Sequence, residues 1–325
     1  MAQLKTTFAG LALENPIIIS SSGLTNSAEK IKKLEEAGAG AVVLKSVFEE
    51  QISMQAGSMQ SYGSPEADDY LGAYVRSHAL NEHINLIEET KKICHIPVIA
   101  SINCYSDSEW VDFATMMEKA GADALEINIL SLQTDKDYTP GSFEQRHIDI
   151  LCHIKKVVKI PVIMKLGSNL TNPVALINQL YANGAAAVVL FNRFYQTDIN
   201  IDTMAFTSAN VMSTPNELPD RLRWTAIASA AVPRLDYAVS GGVHCGKGVI
   251  KSILAGAAAV EVCSVIYQYG AKEIENMKKE LSEWMDEKGY ESLSQFKGKM
   301  NAESAGEINP FERTQFMRYY SNREE

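Results

Sequence analysis

The chain has 325 residues, a formal net charge of −10, 46% hydrophobic residues and 22% charged residues. That balance excludes a disordered chain and opposes binding to nucleic acid or to an anionic membrane surface. Five scattered cysteines (Cys94, Cys104, Cys152, Cys245 and Cys263) show no C-x-x-C spacing. They predict reduced thiols, with no ligand run for a structural zinc or an iron–sulfur cluster.

In chain order, residues 4–13 alternate around Ala9-Gly10 and predict a small hairpin covering the bottom of the fold. From there one unit recurs. Segments 36–44, 119–127, 182–190 and 254–262 each read as a helix end, a glycine and a short buried strand. The glycine suits the left-handed residue that stops a helix. The β-branched run after it suits a parallel strand covered on both faces. Ile-Pro-Val-Ile at 96–99 and 160–163 starts two more strands, with proline where no ladder donor is needed. The predicted strands are 16–20, 41–46, 97–102, 123–129, 161–166, 186–191, 236–241 and 258–263.

Amphipathic helices fill the gaps. Asn26 with Glu29 resembles a capping box before Ile31, Leu34 and Ala37, and Ser106 with Glu109 repeats it before Trp110, Phe113 and Met117. Asn172 and Pro173 form an N-cap and first-turn pair before Leu176 and Leu180. Eight strand–helix alternations predict an α/β fold, a closed (β/α)8 TIM barrel, rather than an open doubly wound sheet. Residues 48–80, 130–145 and 193–219 interrupt the alternation after strands, on the face where barrels build their sites. The expected organisation is a single barrel domain over 1–325, with a polar extension at 290–325 carrying Phe311, Phe316, Tyr319 and Tyr320. That extension docks on the barrel or on a second subunit, which allows a homodimer.

Polar residues at strand ends are the candidate site: Lys45, Asn103, Asn128, Lys165, Asn192, Ser240-Gly241-Gly242 and Cys263-Ser264. A buried lysine is costly without a partner, so Lys45 and Lys165 are hard to explain as packing, unless a core carboxylate such as Glu126 pairs with them. The Ser-Gly-Gly turn after strand seven lets backbone N–H groups approach an anion, and the turns after the last two strands are where barrels bind phosphate. The six histidines, among them His95, His153 and His244, show no metal-ligand spacing, so no metal is expected.

These residues resemble the dihydroorotate dehydrogenase family, particularly its soluble class 1 branch, from about Leu4 to Met300. The resemblance is carried by Leu-Glu-Asn-Pro at 13–16, Ser-Ser-Gly at 21–23, Leu-Lys-Ser at 44–46, Glu-Ile-Asn at 126–128, Met-Lys-Leu at 164–166 and Ser-Gly-Gly-Val at 240–243, with Lys288–Leu293, Phe296 and Gly298 towards the end. It implies flavin mononucleotide (FMN), with the ring among Ser22, Gly23, Lys45, Asn103 and Asn128, and with Lys165 at its pyrimidine end. Ser240, Gly241, Gly242, Cys263 and Ser264 would hold the phosphate. It implies catalytic roles for Lys45, Lys165 and a base at Ser131, reached by aligning on Asn128. Asn128, Asn192 and Arg193 would face the substrate.

The chain departs from the family at the substrate loops. Leu132-Gln133 stands where the family has Pro-Asn, Tyr74–Asn81 does not match its Asn-rich loop, and Arg193 follows Asn192 in place of Ser or Thr. Arg76 and Arg193 are new cations able to receive a carboxylate. The implied activity is oxidation of dihydroorotate to orotate, in pyrimidine biosynthesis. Another small cyclic or carboxylated substrate, a flavin-binding paralogue without turnover, and a non-flavin phosphate-binding lyase or isomerase stand as alternatives. Expected partners are a small-molecule substrate and a soluble electron acceptor or electron-transfer subunit, with no nucleic acid and no membrane. The expected location is the cytoplasm, because no stretch approaches ~20 apolar residues and the N-terminus lacks a signal-like apolar segment.

Overall fold

The structure is a computed structural model that describes residues 2–48, 65–103, 110–305 and 310–313, with the backbone alone for 65–76, 110 and 305. The hairpin comes first: β1 (Thr6–Phe8) pairs antiparallel with β2 (Leu11–Leu13). Its two-residue turn needs positive φ at both positions, 53° at Ala9 and 80° at Gly10. Phe8, Ala9 and Leu13 are buried against Ile18, Val43, Ile163, Val189 and Ala259, which closes the bottom of the barrel.

The barrel strands are β3 (Ile17–Ile19), β4 (Ala41–Val43), β6 (Val98–Asn103), β7 (Ala124–Asn128), β8 (Val162–Gly167), β9 (Ala187–Asn192), β12 (Asp236–Ser240) and β13 (Ala259–Val262). They pair in parallel around the ring, and the β4–β6 pairing closes it. All eight lie where the sequence predicts them. Strand two alone is split: it leaves the ladder after Val43, and a short β5 (Val47–Phe48) returns to pair with β6.

Between strands run α1 (Ala28–Glu36), α2 (Pro65–Ile93), α3 (Trp110–Lys119), α4 (Ser142–Lys155), α5 (Pro173–Ala182), α6 (Leu218–Ala231) and α7 (Gly246–Leu254). A short α8 (Ser264–Tyr269) and the longer α9 (Lys272–Lys288) come after β13. Helix α1 differs from expectation at its start. Ser27, not Asn26, is the N-cap, its Oγ accepting from Lys30 N at 3.4 Å. Asn26 instead ends the preceding 3-10 turn and accepts from Lys30 Nζ at 2.8 Å. Asn172 caps α5 as predicted, accepting from Ala175 N at 3.0 Å. The Ser106–Glu109 pair and Cys104 lie outside the described residues.

Both Ile-Pro-Val-Ile strands are anchored alike. Glu35 accepts from His95 N and Ile96 N at 2.6 and 3.1 Å, and Glu118 accepts from Lys159 N and Ile160 N at 2.7 and 3.0 Å. A carboxylate near a helix end thus takes up the two backbone amides just before each proline.

The three interruptions differ in kind. In the first, helix α2 already begins at Pro65. The second, 130–145, is loop until α4 begins at Ser142. The third contains a hairpin that the sequence does not foretell, β10 (Thr197–Asn200) with β11 (Ala205–Ser208), all of whose strand residues are exposed. After α9, Tyr290 and Phe296 stack beside Trp284, and Gly298 N and Met300 N donate to the carbonyls of Ile253 and Leu254. Phe316, Tyr319 and Tyr320 lie outside the described residues. Among the described residues no helix is long and apolar enough to cross a membrane.

Candidate active site

Alternation along each strand decides what the barrel holds inside. Side chains of period two point to one face, so an inward residue is succeeded two positions on by another, nearer the mouth. Ile18, Ile99, Ala124, Ile163, Ala238 and Ala259 form an apolar layer above the hairpin. Two residues further along the same strands stand Ser20, Ser101, Glu126, Lys165, Ser240 and Glu261, all buried. The next step reaches Ser22, Asn103, Asn128 and Cys263, at a cavity of about 580 Å³ in the mouth.

Lys165 is the centre of the buried polar layer. Its Nζ donates to Glu261 Oε2 at 2.6 Å, Ser20 Oγ at 3.0 Å and Glu126 Oε1 at 3.5 Å. Burial opposes its charge, but the two carboxylates outweigh that and hold its pKa above the usual lysine value. Burial and the neighbouring Glu261 push Glu126 up to about 8. Glu261 is also buried, yet Lys165 and its hydrogen bonds hold it below the ordinary carboxylate value.

A hydrogen-bonded belt rises from this layer. Asn128 Nδ2 donates to Ser101 Oγ and Glu126 Oε1, both at 3.2 Å, and Asn128 Oδ1 accepts from Asn192 Nδ2 at 2.9 Å. Ser101 Oγ meets Ser46 Oγ at 2.7 Å, which meets Ser21 Oγ at 2.9 Å. The belt orients the amide faces of Asn128 and Asn192 at the cavity floor.

The opposite wall is built from main chain. Ser240 and Glu261 are partners in the β12–β13 ladder, so the Gly241-Gly242 turn and the Cys263-Ser264 turn lie side by side. Both glycines have positive φ, 91° and 80°. A Cβ on Gly242 would stand 2.4 Å from Leu218 N, and one on Gly23 would stand 2.8 Å from the Tyr267 hydroxyl. Ser264 Oγ accepts from Ser213 N at 2.9 Å, and Ser213 Oγ contacts His244 Nε2 at 3.0 Å. Burial lowers the His244 pKa, and burial raises that of the Cys263 thiol. A close-approach glycine turn at one end and hydrogen-bonding amides with a lysine at the other fit an elongated ligand with an anionic tail and a planar polar head.

Thirteen of the residues singled out from sequence line this cavity: Ser22, Gly23, Lys45, Asn103, Asn128, Lys165, Asn192, Arg193, Ser240, Gly241, Gly242, Cys263 and Ser264. Two of them stand differently from expectation. Lys45 is exposed, so the argument from the cost of burial holds for Lys165 and not for it. Arg193 is engaged by its own loop: it donates to Glu217 Oε2 at 3.1 Å and to the carbonyls of Val211 and Asn210, each at 2.6 Å. Ser131 stands apart from the lining; its Oγ accepts from Gln133 Nε2 at 3.2 Å and its carbonyl from Asn169 at 2.8 Å. The side chain of Arg76 lies outside the described residues. Sequence reasoning missed Ser20, Ser101 and Glu261. Glu261 was visible as an acid inside an apolar strand, at the step of the alternation that Glu126 also occupies. Among the described residues no group of three or more acidic, histidine or cysteine side chains is placed to hold a metal ion.

A family model for dihydroorotate dehydrogenase matches residues 3–285. The chain is 30% identical to the catalytic subunit of dihydroorotate dehydrogenase B (NAD(+)) from Thermoplasma volcanium, over 92% of this chain and 98% of that one. It is 26% identical to the same-named subunit of Methanocaldococcus jannaschii, over 82% and 88% of the two chains. It is also 24% identical to the NAD-dependent dihydropyrimidine dehydrogenase subunit PreA of Escherichia coli, over 92% and 77%. With the barrel, the buried lysine and the glycine turn in place, the chain belongs to the dihydroorotate dehydrogenase family, flavin-dependent dehydrogenases acting on CH–CH bonds.

Proposed function

We propose that this protein oxidises dihydroorotate to orotate with FMN in the barrel-mouth cavity. One observation carries the reading: the cavity joins the Gly241-Gly242 turn to a floor of Lys165 and Asn128. The two features suit the two ends of that cofactor. FMN, when bound, supplies the acceptor for a hydride. The chain's part is to grip the phosphate at Gly241, Gly242, Cys263 and Ser264 and to set amide and ammonium donors at the ring. Lys45 adds a second cation at the mouth of the same cavity. Such fixed donors in a dry site stabilise charge without reorganisation.

Proton removal falls to Ser131 in this reading, on the loop after β7. Its loop would have to turn the hydroxyl toward the cavity, since Gln133 is its partner in the structure. Asn128 and Asn192, joined at 2.9 Å, offer the substrate their remaining amide positions. The chain acts as one domain with its 290–325 extension, in the cytoplasm, and passes electrons to a soluble acceptor. Relatives bearing the name catalytic subunit favour an acceptor carried by a partner subunit.

A second substrate is favoured by a specific observation. Three of the five N–H donors of Arg193 are taken by Glu217, Val211 and Asn210, so its guanidinium is held by its own loop rather than turned freely to a substrate carboxylate. A reduced pyrimidine without a carboxylate suits such a rim, and one relative is named for dihydropyrimidine. Anaerobic mixing separates the two. Dihydroorotate should bleach the flavin of the yellow protein; bleaching by an uncharged dihydropyrimidine alone would select the second substrate. A colourless protein that FMN cannot reconstitute would remove the cofactor from the reading.

A further inference from the structure

The ammonium of Lys165 has three N–H donors, and three acceptors surround it: Glu261 at 2.6 Å, Ser20 at 3.0 Å and Glu126 at 3.5 Å. One cation therefore faces two carboxyl groups, both all but inaccessible at 0% and 2% exposure. Two buried negative charges against one positive charge would leave an uncompensated buried anion, a heavy cost in a low-dielectric interior. The hydrogen bonds show how this is avoided. Glu261 Oε2 accepts from both Lys165 and Ser20, at 2.6 and 3.0 Å, as an ionised carboxylate does. Glu126 Oε1 accepts from Asn128, with Ser101 and Lys165 further off at 3.5 Å, while its Oε2 is buried and accepts from no donor among the described residues. Both carboxyl groups thus face the same ammonium, Glu261 at 2.6 Å and Glu126 at 3.5 Å. A single ammonium balances one of them only, so the other must bring a proton for the buried layer to be neutral. Glu126 Oε2 is the atom left to carry it.

We propose that Glu261 is a positioning residue that pins the Lys165 ammonium on the barrel floor, and that Glu126 and Glu261 share one proton so that the floor carries no net charge. The inference rests on the FMN reading for its consequence at the ring, but not for the proton itself. The shift of Glu126 up to about 8, from burial first and the Glu261 charge second, agrees with the geometry. The titratable groups around the pair are Lys165 from β8, Glu126 from β7, Glu261 from β13 and Cys263 just beyond it, whose thiol burial pushes up. Lys45 lines the mouth of the same cavity. A floor without net charge attracts a reduced, electron-rich ring less than a free ammonium does. Glu261 thereby sets how strongly Lys165 favours reduction.

Two measurements test this. Infrared spectroscopy of the cofactor-free protein at pH 7 should show a protonated-carboxyl stretch that is absent from Glu126→Gln and fades above about pH 8. No such band in the wild-type protein would overturn the shared proton, whatever the cofactor. Potentiometry of bound FMN then reads the charge. Glu126→Gln replaces a neutral group by a neutral group and should leave the potential at pH 7 nearly unchanged. The double variant Glu126→Gln/Glu261→Gln leaves Lys165 unopposed and should favour reduced over oxidised FMN by about tenfold or more. A potential unmoved in the double variant, or moved as far by Glu126→Gln alone, overturns the inference with the FMN reading intact. A wild-type protein that takes up no FMN sinks that reading instead, and the infrared band still decides the proton.

Discussion

The glycine pair after β12 offers a comparison in which two neighbouring substitutions should differ for a reason visible in the backbone. Gly241 and Gly242 both have positive φ, 91° and 80°. Alanine at either one sits in the left-handed region at a cost of about 1–2 kcal/mol, offset by about 0.4–1 kcal/mol from the stiffer unfolded chain. The surroundings then separate them. A Cβ on Gly241 first meets the guanidine of Arg221 at 3.3 Å, a side chain that can yield. A Cβ on Gly242 meets backbone, Leu218 N at 2.4 Å and Cα at 2.8 Å, at the start of α6. Relieving that overlap means shifting a helix end, an overpacking cost of about 1–3 kcal/mol. Gly242→Ala should therefore lose about 2–4 kcal/mol and Gly241→Ala about 1 kcal/mol. At about 2.1 cal/mol/K per residue of unfolding entropy, these correspond to falls in Tm of about 3–6 °C and about 1–2 °C. Differential scanning calorimetry of the two cofactor-free variants reads the difference directly. Equal losses, or a larger loss for Gly241→Ala, would refute the claim that the Leu218 backbone dictates glycine here.

Lys165→Met strands the Glu261 carboxylate without its cation and should cost about 3–5 kcal/mol at pH 7 in denaturant unfolding. The deficit should shrink as pH falls, because protonation then neutralises the stranded acid; a deficit independent of pH would count against the ion pair. Burial pushes His83 down to about 4, and its Nε2 has no partner among the described residues. The unfolded chain binds the proton more readily between about 6.5 and about 4, so stability from this group falls with pH across that window, by about 3 kcal/mol in full. His83→Met should flatten that part of the stability–pH curve, and an unchanged curve would place the acid sensitivity elsewhere. Ser131→Ala should slow anaerobic flavin reduction about a hundredfold or more if Ser131 removes the proton. A wild-type rate would assign proton removal to another group.

Seven of the eight barrel strands were legible because a parallel strand buried on both faces leaves a dense mark, a short apolar run entered from a glycine or a proline. The two helix starts that were read from capping residues and lie among the described residues, at Ser27 and Asn172, were legible to within a residue. Asn26 and Ser27 are both good capping residues, and only the 3-10 turn at Gly23–Thr25, which uses Asn26 as its own end, decides between them. The hairpin of β10 and β11 left no such mark. Its strand residues are all exposed, so no alternation of apolar and polar positions reveals it.

The same physics separates the floor of the site from its rim. Floor residues sit on strands, where period two carries Ala124 to Glu126 to Asn128, and Ile163 to Lys165, into one interior. The need of Lys165 for a carboxylate pointed to Glu126; applying the alternation to 259–263 as well would have added Glu261, the shorter contact at 2.6 Å. Rim residues have no period to constrain them. Arg193 comes after a strand-end asparagine and looked free to bind substrate, but its direction is set by carbonyls at 210 and 211, seventeen and eighteen residues on, that no local pattern predicts. A barrel thus writes its cofactor floor into strand periodicity and leaves its substrate contacts to loop packing. The lysine on this floor already has all three of its donors engaged. In the FMN reading, a ring that accepted from Lys165 would therefore displace the longest of those contacts, the 3.5 Å one to Glu126, rather than fill an empty position.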